Sequence, residues 1–159
     1  MVALELVSNA FKTLDIKTED KELILDIKYR FYYINSTMKF EEVIKLFKYP
    51  GLLFYYTDYD KDFLSHIGGF GSVYLNFQDR PHTLSIIYPT QILISPIDFR
   101  IGIDGEIESF PVENNCIKYS EITLDKLKEI IYNCYSESVL NAKNFLVKLK
   151  KEEIDKDFT

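Results

Sequence analysis

Six strand-like segments follow one another between Leu52 and Phe110, so closely spaced that crossover helices have no room between them. They are Leu52–Thr57, Phe70–Phe77, Thr83–Tyr88, Gln91–Ile94, Phe99–Ile103 and Glu106–Phe110. Gly68-Gly69 breaks the chain before the second, Gln78–Pro81 reads as a turn after it, and Asp104-Gly105 is a two-residue hairpin signal between the last two. A parallel pair needs a crossover of a dozen or more residues, so this spacing predicts a mostly antiparallel sheet.

The flanks supply helices. Leu4, Val7, Phe11 and Leu14 have helical spacing, which predicts a helix over Ala3–Leu14. Leu23–Tyr33 alternates apolar and polar residues as a strand does, and a helix through Leu23, Ile27, Phe31 and Ile34 stays open. Asn35-Ser36-Thr37 offers a cap for a second helix through Phe40, Val43, Ile44 and Phe47, which Pro50-Gly51 ends. Thr123 can cap a last helix. Its stripe runs Leu124, Leu127, Ile131, Cys134, then Val139, Ala142, Leu146, Leu149, with a break expected near Ser136 and fraying from Lys151. Residues 1–159 are thus expected to form a single α+β domain: a mostly antiparallel, twisted sheet packed with N- and C-terminal helices.

The net charge of -6 is concentrated in the same central block. Leu52–Phe110 holds eight acids (Asp58, Asp60, Asp62, Asp79, Asp98, Asp104, Glu106, Glu108) against three bases (Lys61, Arg80, Arg100). Residues 1–51 balance, and residues 111–159 carry nine acids and eight bases. Nucleic acid is a poor ligand for such a surface, because phosphates demand clustered Lys and Arg. A basic protein is a good one. No apolar run approaches the ~20 residues of a membrane span, and no signal peptide is evident, so a cytoplasmic protein with no membrane partner is expected. Cys116 and Cys134 then stay reduced.

Candidate chemistry is sparse. Asp58, Asp60 and Asp62 have the spacing that opens a calcium loop, but Phe63 stands where glycine is needed and Gly69 where glutamate is needed. Gly68-Gly69-Phe70-Gly71 lacks the Lys-Ser/Thr ending of a phosphate loop. His66 and His82 have no Cys or His partner at ligand spacing. Cys134 lies on an apolar helical stripe, and Cys116 falls in a loop. No catalytic residue, metal or cofactor is expected. Tyr55, Tyr56 and Tyr59 flank the acidic loop, and tyrosines are frequent in protein interfaces.

The runs Leu53-Phe-Tyr-Tyr-Thr-Asp58, Phe70-Gly-Ser-Val-Tyr-Leu-Asn-Phe77 and Leu93-Ile-Ser-Pro-Ile97 resemble the immunity proteins of contact-dependent growth inhibition systems. The resemblance covers roughly the central and C-terminal two-thirds. It implies a Whirly-like antiparallel sheet and a non-enzymatic, cytoplasmic protein. Such a protein binds, one to one, the basic nuclease toxin domain at the C-terminus of a delivered effector, and masks its active site. It also implies that a toxin hairpin adds to the sheet. The residues expected to meet the toxin are Tyr56, Asp58, Tyr59, Asp60, Asp62, Phe70, Tyr74, Phe77, Glu106 and Glu108. The edges expected to accept a strand are Phe70–Phe77 and Glu106–Phe110, which carry no lysine. A Whirly-type nucleic-acid-binding domain and a small hydrolase are the alternatives. The first would show a basic face, the second a pocket joining a histidine to several acids.

Overall fold

The computed structural model describes residues 12–14, 38–56, 71–88 and 90–157. Its centre is a six-stranded sheet in the order β1-β2-β3-β4-β5-β8, with a separate two-stranded sheet, β6-β7. The strands are β1 Lys12–Leu14, β2 Leu52–Tyr56, β3 Gly71–Phe77, β4 Arg80–Ile87, β5 Gln91–Ile94, β6 Ile97–Ile101, β7 Ile107–Pro111 and β8 Asn115–Lys118. A short helix α1, Phe40–Lys45, precedes β2, and a 34-residue helix α2, Leu124–Asp157, closes the chain. From β2 to β8 every pairing is antiparallel, so the fold is α+β as the spacing predicts.

One face of the sheet forms the core. Partners in an antiparallel register share a face, so Leu52↔Leu75, Phe54↔Val73 and Ile87↔Ile92 point the same way. All six are buried. Against them lie Phe40, Val43 and Phe47 from the α1 region, Leu127, Ile131, Cys134 and Ala142 of α2, and Ile97 and Phe99 of β6. The opposite face carries Leu53, Tyr55, Tyr74, Ile86 and Leu93, each half-buried.

Several local expectations are corrected. Lys12–Leu14 is not helical: it pairs in parallel with Leu53, Phe54 and Tyr55 of β2, where main-chain bonding to a neighbouring strand outweighs local helical spacing. Residues 3–11, the strand expected at Leu23–Tyr33 and the segment 58–66 lie outside the described residues. Helix α1 begins after Lys39 with no side-chain cap, and the triplet 35–37 also lies outside. The turn after β3 is only Gln78-Asp79, both at positive φ (56° and 60°). That pair of dihedrals matches a type I′ turn, whose twist suits a tight hairpin, and it lets β4 start at Arg80. The β6–β7 connection is five residues, 102–106, rather than two. Gly102 N–H donates to Glu106 O, Gly105 N–H donates to Gly102 O, and Gly105 takes φ +82°. This is a turn closed by one left-handed residue, which glycine occupies without a Cβ penalty.

Helix α2 runs through Ser136 unbroken and stays helical to Asp157. Thr123 Oγ1 accepts from Lys126 N–H at 3.2 Å, the expected cap. Ile131 and Cys134 before Ser136, and Val139 and Ala142 after it, lie in the same core. Packing on both sides therefore holds the helix straight across a residue of modest propensity. Ser138, fully buried, donates to Cys134 O at 2.7 Å and accepts from Ile97 N–H at 2.9 Å, stitching α2 to β6. Asn141 Nδ2 donates to Ile97 O at 3.0 Å, so the same β6 residue is held on both of its polar groups.

Candidate partner-binding surface

The sheet order decides which main chain a partner can reach. β3, expected to be an open edge, lies between β2 and β4 and is hydrogen-bonded on both sides. It cannot accept a strand. The reason is topological: β3 forms hairpins with the strands before and after it in the chain. β7 pairs with β6 on one side. Among the described residues the main sheet ends on this side at β8, which pairs there with β5 alone. Cys116, expected in a loop, sits on β8 and is exposed, as is Lys118. Beside β8 opens a groove of about 400 Å³, lined mainly by apolar atoms of residues such as Thr83, Ile86, Leu93, Pro111 and Cys116.

The expected contact residues divide into three groups. Asp58, Tyr59, Asp60, Asp62 and Phe70 lie outside the described residues, as does the side chain of Tyr56, whose backbone ends β2 opposite Gly71. Phe77, expected at the contact surface, is instead 1% exposed and packs on Phe99, centroids 4.6 Å apart. Its place in the strand alternation puts it on the helix-covered face. Tyr74 is on the other face, half-buried, with its ring edge-to-face with Tyr55 at 5.3 Å.

Glu106 and Glu108 are exposed on the β6–β7 hairpin. Glu106 pairs with Arg80 of β4 at 2.8 Å and Glu108 with Arg100 of β6 at 2.6 Å. The Arg100 guanidinium also lies over the Phe110 ring at 5.0 Å. These exposed pairs add little to stability, but they tie the hairpin to β4 and across its own width. Within the hairpin, Asp98, Asp104, Glu106 and Glu108 face a single arginine, so the surface stays acidic.

The groups capable of catalysis are dispersed. His82 is buried between Phe77 and Phe99, and its Nε2 has no hydrogen-bond partner among the described residues. Burial, with Arg80 adding to it, holds its pKa below the ordinary histidine value, while a hydrogen bond to the Phe77 backbone opposes the shift. Burial pushes the Cys134 thiol up to about 11, which suits packing rather than nucleophilic attack. Among the described residues no three His, Cys, Asp or Glu side chains are grouped as metal ligands. No helix among them is long and apolar enough to cross a membrane. His66 lies outside them.

Two features escaped the sequence reading: strand β8, and the exposed isoleucine Ile103 at the hairpin tip. The alternation Asn-Cys-Ile-Lys was the available signal for the first, and an apolar residue beside Asp104-Gly105 for the second. Compared with protein-family models, curated proteins and solved structures, the chain matches none of them.

Proposed function

We propose that this chain is an immunity protein that binds the basic nuclease domain of a contact-dependent growth inhibition toxin, one to one, and masks its active site without chemistry of its own. It would act in the cytoplasm, where such a toxin meets its substrate. The observation that carries this reading is β8, an outermost strand beside an apolar groove of about 400 Å³. An outer strand offers unpaired amides and carbonyls, and the groove offers a place for the side chains of an added strand. The acidic β6–β7 hairpin supports it too, because complementary charge speeds encounter with a basic partner and rejects acidic ones. The resemblance of the central runs supplies the toxin class.

The test uses the C-terminal fragment of the effector encoded immediately upstream. Wild-type protein should capture this fragment and abolish its nuclease activity. Proline is then placed at Cys116 and, separately, at Ile117. Amides of adjacent strand residues point to opposite sides, so one variant cuts a bond to β5 and the other cuts only the outward edge. The outward variant should fold and lose capture. If both variants fold and protect like wild type, strand addition at β8 is wrong. If wild type captures nothing, the immunity reading is wrong.

A basic row favours the nucleic-acid-binding alternative: Lys143, Lys148, Lys150 and Lys151 are all exposed on α2. Glu152, Glu153 and Asp155 follow immediately and are exposed as well, which weakens any phosphate track there. Salt-dependent binding of single-stranded DNA, lost on changing these four lysines to alanine, would favour that alternative.

A further inference from the structure

The β6–β7 hairpin ends in a feature that strand pairing at β8 does not use. Ile103 follows Gly102 in a turn closed by the Gly105 N–H to Gly102 O bond of 3.0 Å. It is fully exposed, at 111% of the reference area. Ile101, the last residue of β6, is 47% exposed and pairs across the ladder with Ile107. The hairpin therefore ends in three isoleucines. Ile103 gains no burial on folding, and this second turn position favours Pro, whose fixed φ suits the backbone there. Nothing in the fold's own energetics calls for an isoleucine there.

The tip is also held in place. Asp104 Oδ1 accepts from Glu106 N–H at 3.0 Å, and Gly102 N–H donates to Glu106 O at 2.7 Å. The Arg80–Glu106 pair ties the far end of the hairpin to β4. A loop already ordered in the free protein loses little entropy on docking. Asp104, Glu106 and Glu108 are interspersed with the isoleucines along the hairpin, and Glu106 and Glu108 are paired with Arg80 and Arg100.

Resting on the immunity reading above, we infer that this tip is an anchor: Ile103, with Ile101 beside it, enters an apolar pocket of the toxin whose rim carries lysine or arginine. The charge selects the occupant. A second copy docking tip to tip would oppose like carboxylates, and an anionic lipid surface would repel them. A basic protein with an apolar recess satisfies both the isoleucines and the acids. The anchor governs how long the complex lasts, and the acids govern how fast it forms.

The experiment measures association and dissociation rates of the same toxin fragment with wild type, Ile103→Ser, Ile103→Leu and the β8 outward-proline variant. Because Ile103 is solvated, the serine variant should melt at the wild-type temperature. It should dissociate about 30-fold faster, as expected for losing an anchor residue, with its association rate little changed. Ile103→Leu should restore slow dissociation. If Ile103→Ser dissociates like wild type while the β8 variant loses binding, the anchor is wrong and the immunity reading stands. If wild type itself does not bind the fragment, both fall.

Discussion

His82→Leu should make the protein's stability less sensitive to pH between pH 6.5 and 5. The imidazole is 6% exposed, enclosed by Phe77 and Phe99, and its Nε2 has no partner among the described residues. Its pKa lies below the ordinary value, chiefly because burial disfavours the charged ring. The sign follows from linkage. Below about pH 6.5 the unfolded chain takes up a proton at this site that the folded chain resists, so stability falls as pH falls. The loss runs from the unfolded pKa down to the folded one, at most about 1.4 kcal/mol per pH unit. At pH 7.5 the ring is neutral in both states. There the substitution loses aromatic contacts of about 0.5–1.5 kcal/mol and relieves an unsatisfied nitrogen costing about 1–3 kcal/mol. Loss of the ring's hydrogen bond to the Phe77 backbone, about 0.5–1.5 kcal/mol, joins the first term, so the variant should lie within about 2 kcal/mol of wild type at pH 7.5. From pH 7.5 to 5 the stability difference should move in the variant's favour, by at most about 2 kcal/mol, the full slope over 1.5 units. The assay is urea unfolding followed by circular dichroism at both pH values and one ionic strength. His66 and the surface carboxylates are common to both proteins and cancel in the difference. Wild-type and variant stabilities that fall in parallel from pH 7.5 to 5 would refute the argument.

Ser138→Ala should destabilise by about 1–3 kcal/mol, because Ile97 N–H loses its side-chain acceptor in a buried seam; denaturant midpoints will show it, and a change under about 0.5 kcal/mol would mean that the seam relaxes. Gly71→Ala should cost about 1–3 kcal/mol, since the new Cβ would overlap the buried Phe54 ring and crowd Tyr55 O; a wild-type melting curve would contradict this. Thiol titration of the folded protein at pH 8 should show one fast cysteine and one slow one. Exposed Cys116 reacts, while buried Cys134, raised to about 11, waits for unfolding; two equally fast thiols would contradict the burial.

Much of the sheet was legible because alternation reports burial directly. Leu52, Phe54, Val73, Leu75 and Ile87 fall on alternate positions and are all in the core. The same rule counts Phe77 with Val73 and Leu75 and so turns it to the helices, although as one of the sheet's aromatics it was expected to meet a partner. β8 was missed because four residues, half of them polar, carry a weak signal, and only pairing with β5 makes them a strand. The continuity of α2 past Ser136 was likewise hidden: local propensity argues for a break, and packing on both sides of Ser136 overrides it.

By itself the sequence determined the class of fold, the antiparallel pairing and the acidic character of the central block. Short links forbid crossovers, period-two alternation assigns faces, and charge is a sum over residues that needs no coordinates. Only the tertiary structure decided which strand lies outermost, which carboxylates already hold an arginine, and which isoleucine is left in water. Those properties depend on what lies across the sheet from a residue, and neighbours in space such as Arg80 and Glu106, or Ile97 and Ser138, are far apart along the chain.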